Sequence, residues 1–208
     1  MKYYSASGDD GTTSFGRGVR VSKADEKTAF IGTLDEVQVA LGFAVVEARH
    51  QKNRYGTVAK NMSLSQDHSE GRVSIVADFE ERCEKLEAIE DCLLWLQRLS
   101  FELGTLVTET ASEDFAASWS WSKQLAEVES ACERFAPHEQ LKAFVLPGGS
   151  ELAARIELAR VAVRRAERAY CGIDDGAAAL PLLNRLSSLC FVLARYSNEA
   201  LAVRETTL

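Results

Sequence analysis

Five arginines, Arg155, Arg160, Arg164, Arg165 and Arg168, fall between residues 151 and 170, beside three glutamates and no lysine. The segment is net +2 in a chain whose 24 Lys+Arg against 31 Asp+Glu leave −7. Arg160, Arg164, Glu167 and Arg168 stand at i, i+4, i+7 and i+8, so on a helix they share one face. A solvated helix face laced with ion pairs has the same composition. Here, however, apolar Ile156, Leu158, Ala159, Val161 and Val163 crowd the arginines. Using arginine to the exclusion of lysine also suits planar, bidentate binding of phosphate or carboxylate.

A second cluster is Ser7-Gly8-Asp9-Asp10-Gly11-Thr12-Thr13-Ser14, followed by Arg20 and Lys23. Successive backbone N–H groups with Ser/Thr hydroxyls can cradle phosphate. Gly-Asp-x-Gly is equally an ordinary turn, and the segment fits neither glycine-rich nucleotide motif. Asp35 is expected in the first turn of a helix opened by the capping box Thr33-x-x-Glu36, where an acid favours the helix dipole. Asn184 and Ser188 lie one turn apart on a leucine-rich helix with Phe191, Arg195 and Asn198, as a buried bundle hydrogen bond would require. Glu47-x-x-His50 has di-iron spacing but lacks the second pair such a site needs. The five cysteines include no C-x-x-C, which excludes a disulfide framework and a zinc site built on cysteine pairs. They read as small apolar core residues in a reducing compartment.

The elements that must position these groups are helices. With 208 residues, 46% apolar and 26% charged, the chain reads as a single folded domain, 1–208. Its acidity excludes general nucleic-acid binding. No run of 18 apolar residues spans a bilayer, and Met1-Lys2-Tyr3-Tyr4-Ser5 lacks a secretory apolar core, so a cytoplasmic protein is expected. Residues 1–32 form a glycine-rich extended arm. A helix starts at Thr33, residues 51–75 form a polar, solvated loop, and a long stripe runs from Val76 to about Thr110. Trp121 to Phe135 is a third helix, ended by Pro137. Ser150 caps a fourth that runs to Tyr170, and Asp174 or Asp175 caps a fifth with Pro181 in its first turn. Val19–Val21 and Phe144–Leu146 are short extended pieces. The fold class is all-α, a five-helix bundle (a four-helix up-down core plus one helix) with an N-terminal arm.

Taken in order, Ser-Gly-Asp-Asp-Gly-Thr-Thr (7–13), Arg20-Val-Ser-Lys23, Gly32-Thr-Leu-Asp-Glu36, Phe144-Val-Leu-Pro-Gly-Gly149, Ala159 through Arg168, and Leu183-Asn-Arg-Leu-Ser187 through Tyr196 resemble the ATP:corrinoid adenosyltransferases of the propanediol-utilisation type. The resemblance covers nearly the whole chain apart from about residues 51–75. It implies a homotrimer in which ATP lies between the arm of one subunit and the fourth and fifth helices of its neighbour. Reduced cobalt of cobalamin attacks the ribose 5′ carbon and expels triphosphate. Carried over, Ser7, Gly8, Asp9, Gly11, Thr13 and Lys23 hold the triphosphate. Arg160 pairs with Asp35 across the interface. Arg164, Glu167, Arg168 and Asn184 bind ATP, with Glu167 near the Mg2+ on its phosphates. Phe144 helps expel the lower axial ligand, and Ser188 and Phe191 lie on the corrinoid side. A flavoprotein reductase and an adenosylcobalamin-dependent mutase are the implied partners. Departures are Ala6 for a basic residue, Glu157 for a histidine and Ser188 for an aspartate. They leave a rival expectation, a non-catalytic carrier or regulator that binds ATP or corrinoid.

Overall fold

The computed structural model describes residues 2–15, 18–64, 70–138, 141, 143–173 and 177–208. Five long helices make the bundle: α1 (Glu26–Ser63), α2 (Glu70–Val107), α4 (Trp121–Arg134), α5 (Glu151–Tyr170) and α6 (Leu180–Ala200), with a short α3 (Glu113–Ser118) between the second and third of these. The all-α bundle expected from periodicity is therefore the fold. Phe30, Leu34, Val37, Leu41, Ala44 and Ala48 of α1 meet Leu86, Ile89, Leu93, Leu96 and Leu103 of α2, together with Ile156 and Val163 of α5 and Leu186 and Leu193 of α6, in one core.

The arm is shorter than expected and holds a two-stranded hairpin. Strands β1 (Thr12–Ser14) and β2 (Arg20–Ser22) pair antiparallel, with Thr13 opposite Val21. The first helix opens seven residues before Thr33, because Asp25 accepts from Lys27 N and serves as its N-cap. Thr33 is thus interior, and its hydroxyl donates to Phe30 O at 2.7 Å. Asp35 lies in the third turn, away from the favourable end of the dipole.

The expected loop at 51–75 is overturned. Helix α1 continues to Ser63 and α2 begins at Glu70. Between Ala48 and Leu86 the only buried apolar residue among those described is Ala59, which is why the hydrophobic pattern fades over 51–75. The two helices hold each other by Tyr55 against Phe79, ring centroids 5.6 Å apart, and by polar contacts. Glu90, buried on α2, takes Arg49 Nε at 2.5 Å and Lys52 Nζ at 2.9 Å.

Ser150 caps α5 as expected, accepting from Ala153 N at 3.1 Å. Helix α6 starts after Ala179 with Pro181 in its first turn and no side-chain cap. Asp174 and Asp175 lie outside the described residues. Cys92 and Cys190 are buried and their thiols are pushed up to about 12 by burial, whereas Cys171 at the end of α5 is exposed and not a core residue. Helix α1 is also long and apolar enough by composition to cross a bilayer, with mean hydropathy 1.5 over its most apolar window. Its apolar residues split into the core stripe above and a second, exposed stripe of Val39, Phe43 and Val46.

Candidate functional site

The arm folds around Arg20. Its guanidinium donates to Asp10 Oδ1 at 3.1 Å, to Ser7 O at 2.5 Å and to Thr12 Oγ1. Thr12 donates to the same Asp10 carboxylate through N at 2.9 Å and Oγ1 at 2.7 Å. The Thr12 hydrogen bonds, with Arg20 behind them, hold this exposed carboxyl below its usual range. Lys23 Nζ donates to Gly8 O at 2.7 Å, and a Cβ at Gly8 would stand 3.1 Å from that ammonium. Gly11 turns the chain at φ +79°, a conformation glycine adopts without strain. Ser7, Gly8, Gly11 and Lys23 therefore come together in one knot, with Asp9 and Thr13 in the same turn and strand. Arg20 and Asp10 organise that knot. Composition flagged them as neighbours, but their role depends on the hairpin register.

The second half of the site lies on α5 and α6. Arg160, Arg164, Glu167 and Arg168 occupy one face of α5, with Arg164 and Arg168 exposed. Arg168 Nη1 donates to Arg164 O at 3.1 Å. Asn184 on α6 donates through Nδ2 to Glu167 Oε1 at 3.2 Å, joining the two helices. Its amide orientation follows from its neighbour, since Arg185 Nη1 donates to Asn184 Oδ1 at 3.1 Å while Arg185 Nε holds Glu129 of α4 at 2.9 Å. Ser188 donates to Asn184 O at 3.2 Å, and Phe191 continues the same face, half-buried. Far from being a buried bundle bond, Asn184 and Ser188 are exposed. Arg160 Nε is held by Glu157 of its own helix at 2.5 Å. Asp35 is exposed on α1, and its neighbour Glu36 pairs with Arg165 of α5 at 2.8 Å.

Phe144 is 83% exposed and fixed by its backbone rather than by packing. Leu208 N donates to Phe144 O at 2.9 Å and Leu146 N to Thr206 O at 2.8 Å, so Phe144–Leu146 is extended, with Val145 bridging Thr207. Arg195 of α6 anchors the tail through Glu205 at 3.0 Å. On the other side, Asn198 clamps the turn into α5: its Oδ1 accepts from Ser150 N at 2.8 Å and its Nδ2 donates to Gly148 O at 3.0 Å. Gly149 lies at φ +93°, and a Cβ there would meet the Asn198 amide at 2.6 Å. A groove of about 1020 Å³ beside this strand is lined by His138, Val145, Arg195, Glu199 and Glu205, and by none of the arginine face.

Among the described residues, no hydrogen bond or ion pair links the arm knot to the α5–α6 face within one chain. Each carries donors of the kind that bind anions. Glycine turns with Lys23 offer backbone and ammonium donors on one side, and arginines with a carboxylate–amide pair stand on the other.

Known proteins resemble this chain in sequence and in fold. The family model described as cobalamin adenosyltransferase matches residues 3–197. A corrinoid adenosyltransferase of Mycobacterium tuberculosis is 30% identical over 209 residues, covering 95% of this chain and 89% of the relative. Corrinoid adenosyltransferase PduO of Citrobacter freundii is 31% identical over 203 residues, 94% of this chain, which spans about half (49%) of that relative's length. Among solved structures, a variant PduO-type ATP:corrinoid adenosyltransferase from Lactobacillus reuteri, complexed with cobalamin and ATP, superposes with a TM-score of 0.71 at 22% identity over 100% of this chain and 96% of the other. That likeness speaks to the fold, while the sequence matches identify the lineage: the chain belongs to the cobalamin adenosyltransferase family.

Proposed function

We propose that this chain transfers the 5′-deoxyadenosyl group of ATP to the cobalt of a reduced corrinoid such as cobalamin, releasing triphosphate. The observation that carries the reading is the α5–α6 face, where Glu167 and Asn184 stand bonded beside exposed Arg164 and Arg168 in a chain of this family. Cobalt supplies the nucleophile, so the protein's task is to hold the triphosphate and stabilise its growing charge. Arg164, Arg168 and Asn184 take one side of it. Ser7, Gly8, Asp9, Gly11, Thr13 and Lys23 close the other side from the arm of a neighbouring copy. Mg2+ fits this donor set, because the ion binds through one or two carboxylates plus substrate phosphates, and Glu167 is a carboxylate oriented by Asn184. Phe144, exposed on an extended segment bonded to the C-terminal tail, faces the corrinoid and helps displace its lower axial ligand, with Ser188 and Phe191 on the same side.

Assembly follows from the surface. Val39, Phe43 and Val46 of α1 and Leu158 and Val161 of α5 are between 49% and 64% exposed, on two helices that pack together. An apolar face of this kind marks a contact, and a closed ring of copies would cover it. The proposed assembly is a homotrimer in which Arg160 meets Asp35 of the next copy. A cytoplasmic setting, a flavoprotein reductase that delivers the electron to cobalt and a mutase that consumes the product belong to the same proposal.

One feature favours a non-catalytic carrier instead. Ser188 turns its hydroxyl back onto Asn184 O rather than offering an acid to the corrinoid side. Mixing the protein with cob(I)alamin and Mg-ATP decides between them. The adenosylcobalamin spectrum is expected, and binding of both ligands without that spectrum would establish the carrier.

A further inference from the structure

Two arginines of α5 have acidic partners on their own helix, and the partners differ in kind. Arg155 pairs with Glu151 at 2.6 Å, and the Glu151 side chain is 62% exposed, as in an ordinary surface pair. Arg160 pairs with Glu157 at 2.5 Å, but the Glu157 side chain is only 10% exposed and faces the wall between α5 and α6 near Cys190. A buried carboxylate is costly unless a cation and hydrogen bonds compensate it, and an apolar side chain would fill the same wall at lower cost. What the carboxylate adds is a hold on Arg160. It takes the Nε of the guanidinium, and among the described residues the two Nη groups of Arg160 make no bond within the chain. The fork is thus fixed on one edge and open on the other, on the same helix face as Arg164 and Glu167.

We propose that Glu157 is a positioning residue for adenosyl transfer, holding the Nε edge of Arg160 from within the chain so that its Nη donors point to the triphosphate and to Asp35 of the neighbouring copy. The proposal rests on the reading of Arg160 given above. Glu157 touches no substrate itself and acts through Arg160.

The test combines Glu157→Gln, Arg160→Lys and the double variant, measuring kcat with cob(I)alamin, KM for ATP, and the melting temperature of each. Glu157→Gln keeps the shape of the wall and loses the charge. It is expected to leave the bundle folded and to lower kcat by about 10- to 100-fold, the scale of a small misplacement of a catalytic group, with a smaller change in KM. Added to Arg160→Lys, it should cost nothing further, because both changes remove one unit. A Glu157→Gln protein with wild-type kcat beside a crippled Arg160→Lys protein overturns this proposal alone. Additive losses in the double variant, with a matching fall in melting temperature, also overturn it, since they describe a structural acid. An Arg160→Lys protein with wild-type kcat overturns the reading of Arg160 itself. Should the glutamine variant fail to fold, Glu157→Met fills the wall without charge, and a folded, fully active methionine variant is equally contradictory.

Discussion

Replacing Arg164 by lysine keeps the charge of an exposed arginine face and removes its planar fork. ATP affinity in Arg164→Lys is therefore expected to fall by about tenfold, the weight of one charge-assisted hydrogen bond, as read by calorimetric titration. An unchanged dissociation constant would return these arginines to the solvated-face account. Gly149 answers to a different force. Alanine there must adopt φ +93° and share space with Asn198. Gly149→Ala should cost roughly 1–3 kcal/mol and lower the melting temperature by about 2–4 °C for each kcal/mol. The thiols separate cleanly as well. At pH 8 Cys171 should react quickly with a thiol reagent, while Cys92 and Cys190, buried and raised to about 12, should react only on unfolding. Spacing alone put Arg160, Arg164, Glu167 and Arg168 on one face, since i, i+4 and i+7 need nothing beyond a helix. The Asn184–Glu167 bond and the Glu157 hold on Arg160 were not readable. The first depends on the register between two helices, and the second is an acid at i−3 that looks like any surface pair.

Among the elements, the α1–α2 extension is the one whose stability depends most on polar contacts. Burial works to raise the Glu90 carboxyl, but Lys52 and Arg49 outweigh it and hold the group below its usual range. A depressed carboxyl contributes stability above its unfolded value and loses it as pH falls through the folded one. Glu90→Gln should therefore destabilise the protein by about 2 kcal/mol at pH 7, less than a fully buried pair because Arg49 is half-exposed. The difference from wild type should shrink as both are melted at pH values progressively below the ordinary carboxylate range. A constant difference across that range would mean that packing, not charge, is lost. The sequence pattern missed this extension because the two helices, packed mainly on each other there, bury few apolar residues, and among the described residues 51–63 carries just Ala59. It missed the Asp25 cap because Gly32, beyond it, made the arm's run of glycines read as continuing to residue 32. The α5 and α6 stripes, which each face several neighbours, were legible throughout.

For the whole molecule, the exposed apolar face of α1 and α5 and the separation of the arm knot from the α5–α6 face both motivate the proposed trimer. Val46→Lys introduces a charge at a position 64% exposed in the single chain, so the bundle should stay folded by circular dichroism while light scattering reports 22.9 kDa monomers in place of the proposed trimer. The central claim is that the arm of one copy completes the α5–α6 face of the next, and a mixing experiment tests it most directly. A chain lacking residues 1–14 and a chain carrying Arg164→Ala should each form no adenosylcobalamin while keeping their helical signal. Co-assembled at equal amounts, they should recover about a quarter of wild-type turnover, because each mixed trimer holds one site with an intact arm facing an intact helix pair. Mixed trimers of confirmed composition that stay as inactive as their parents would contradict the account and put the whole site within one chain.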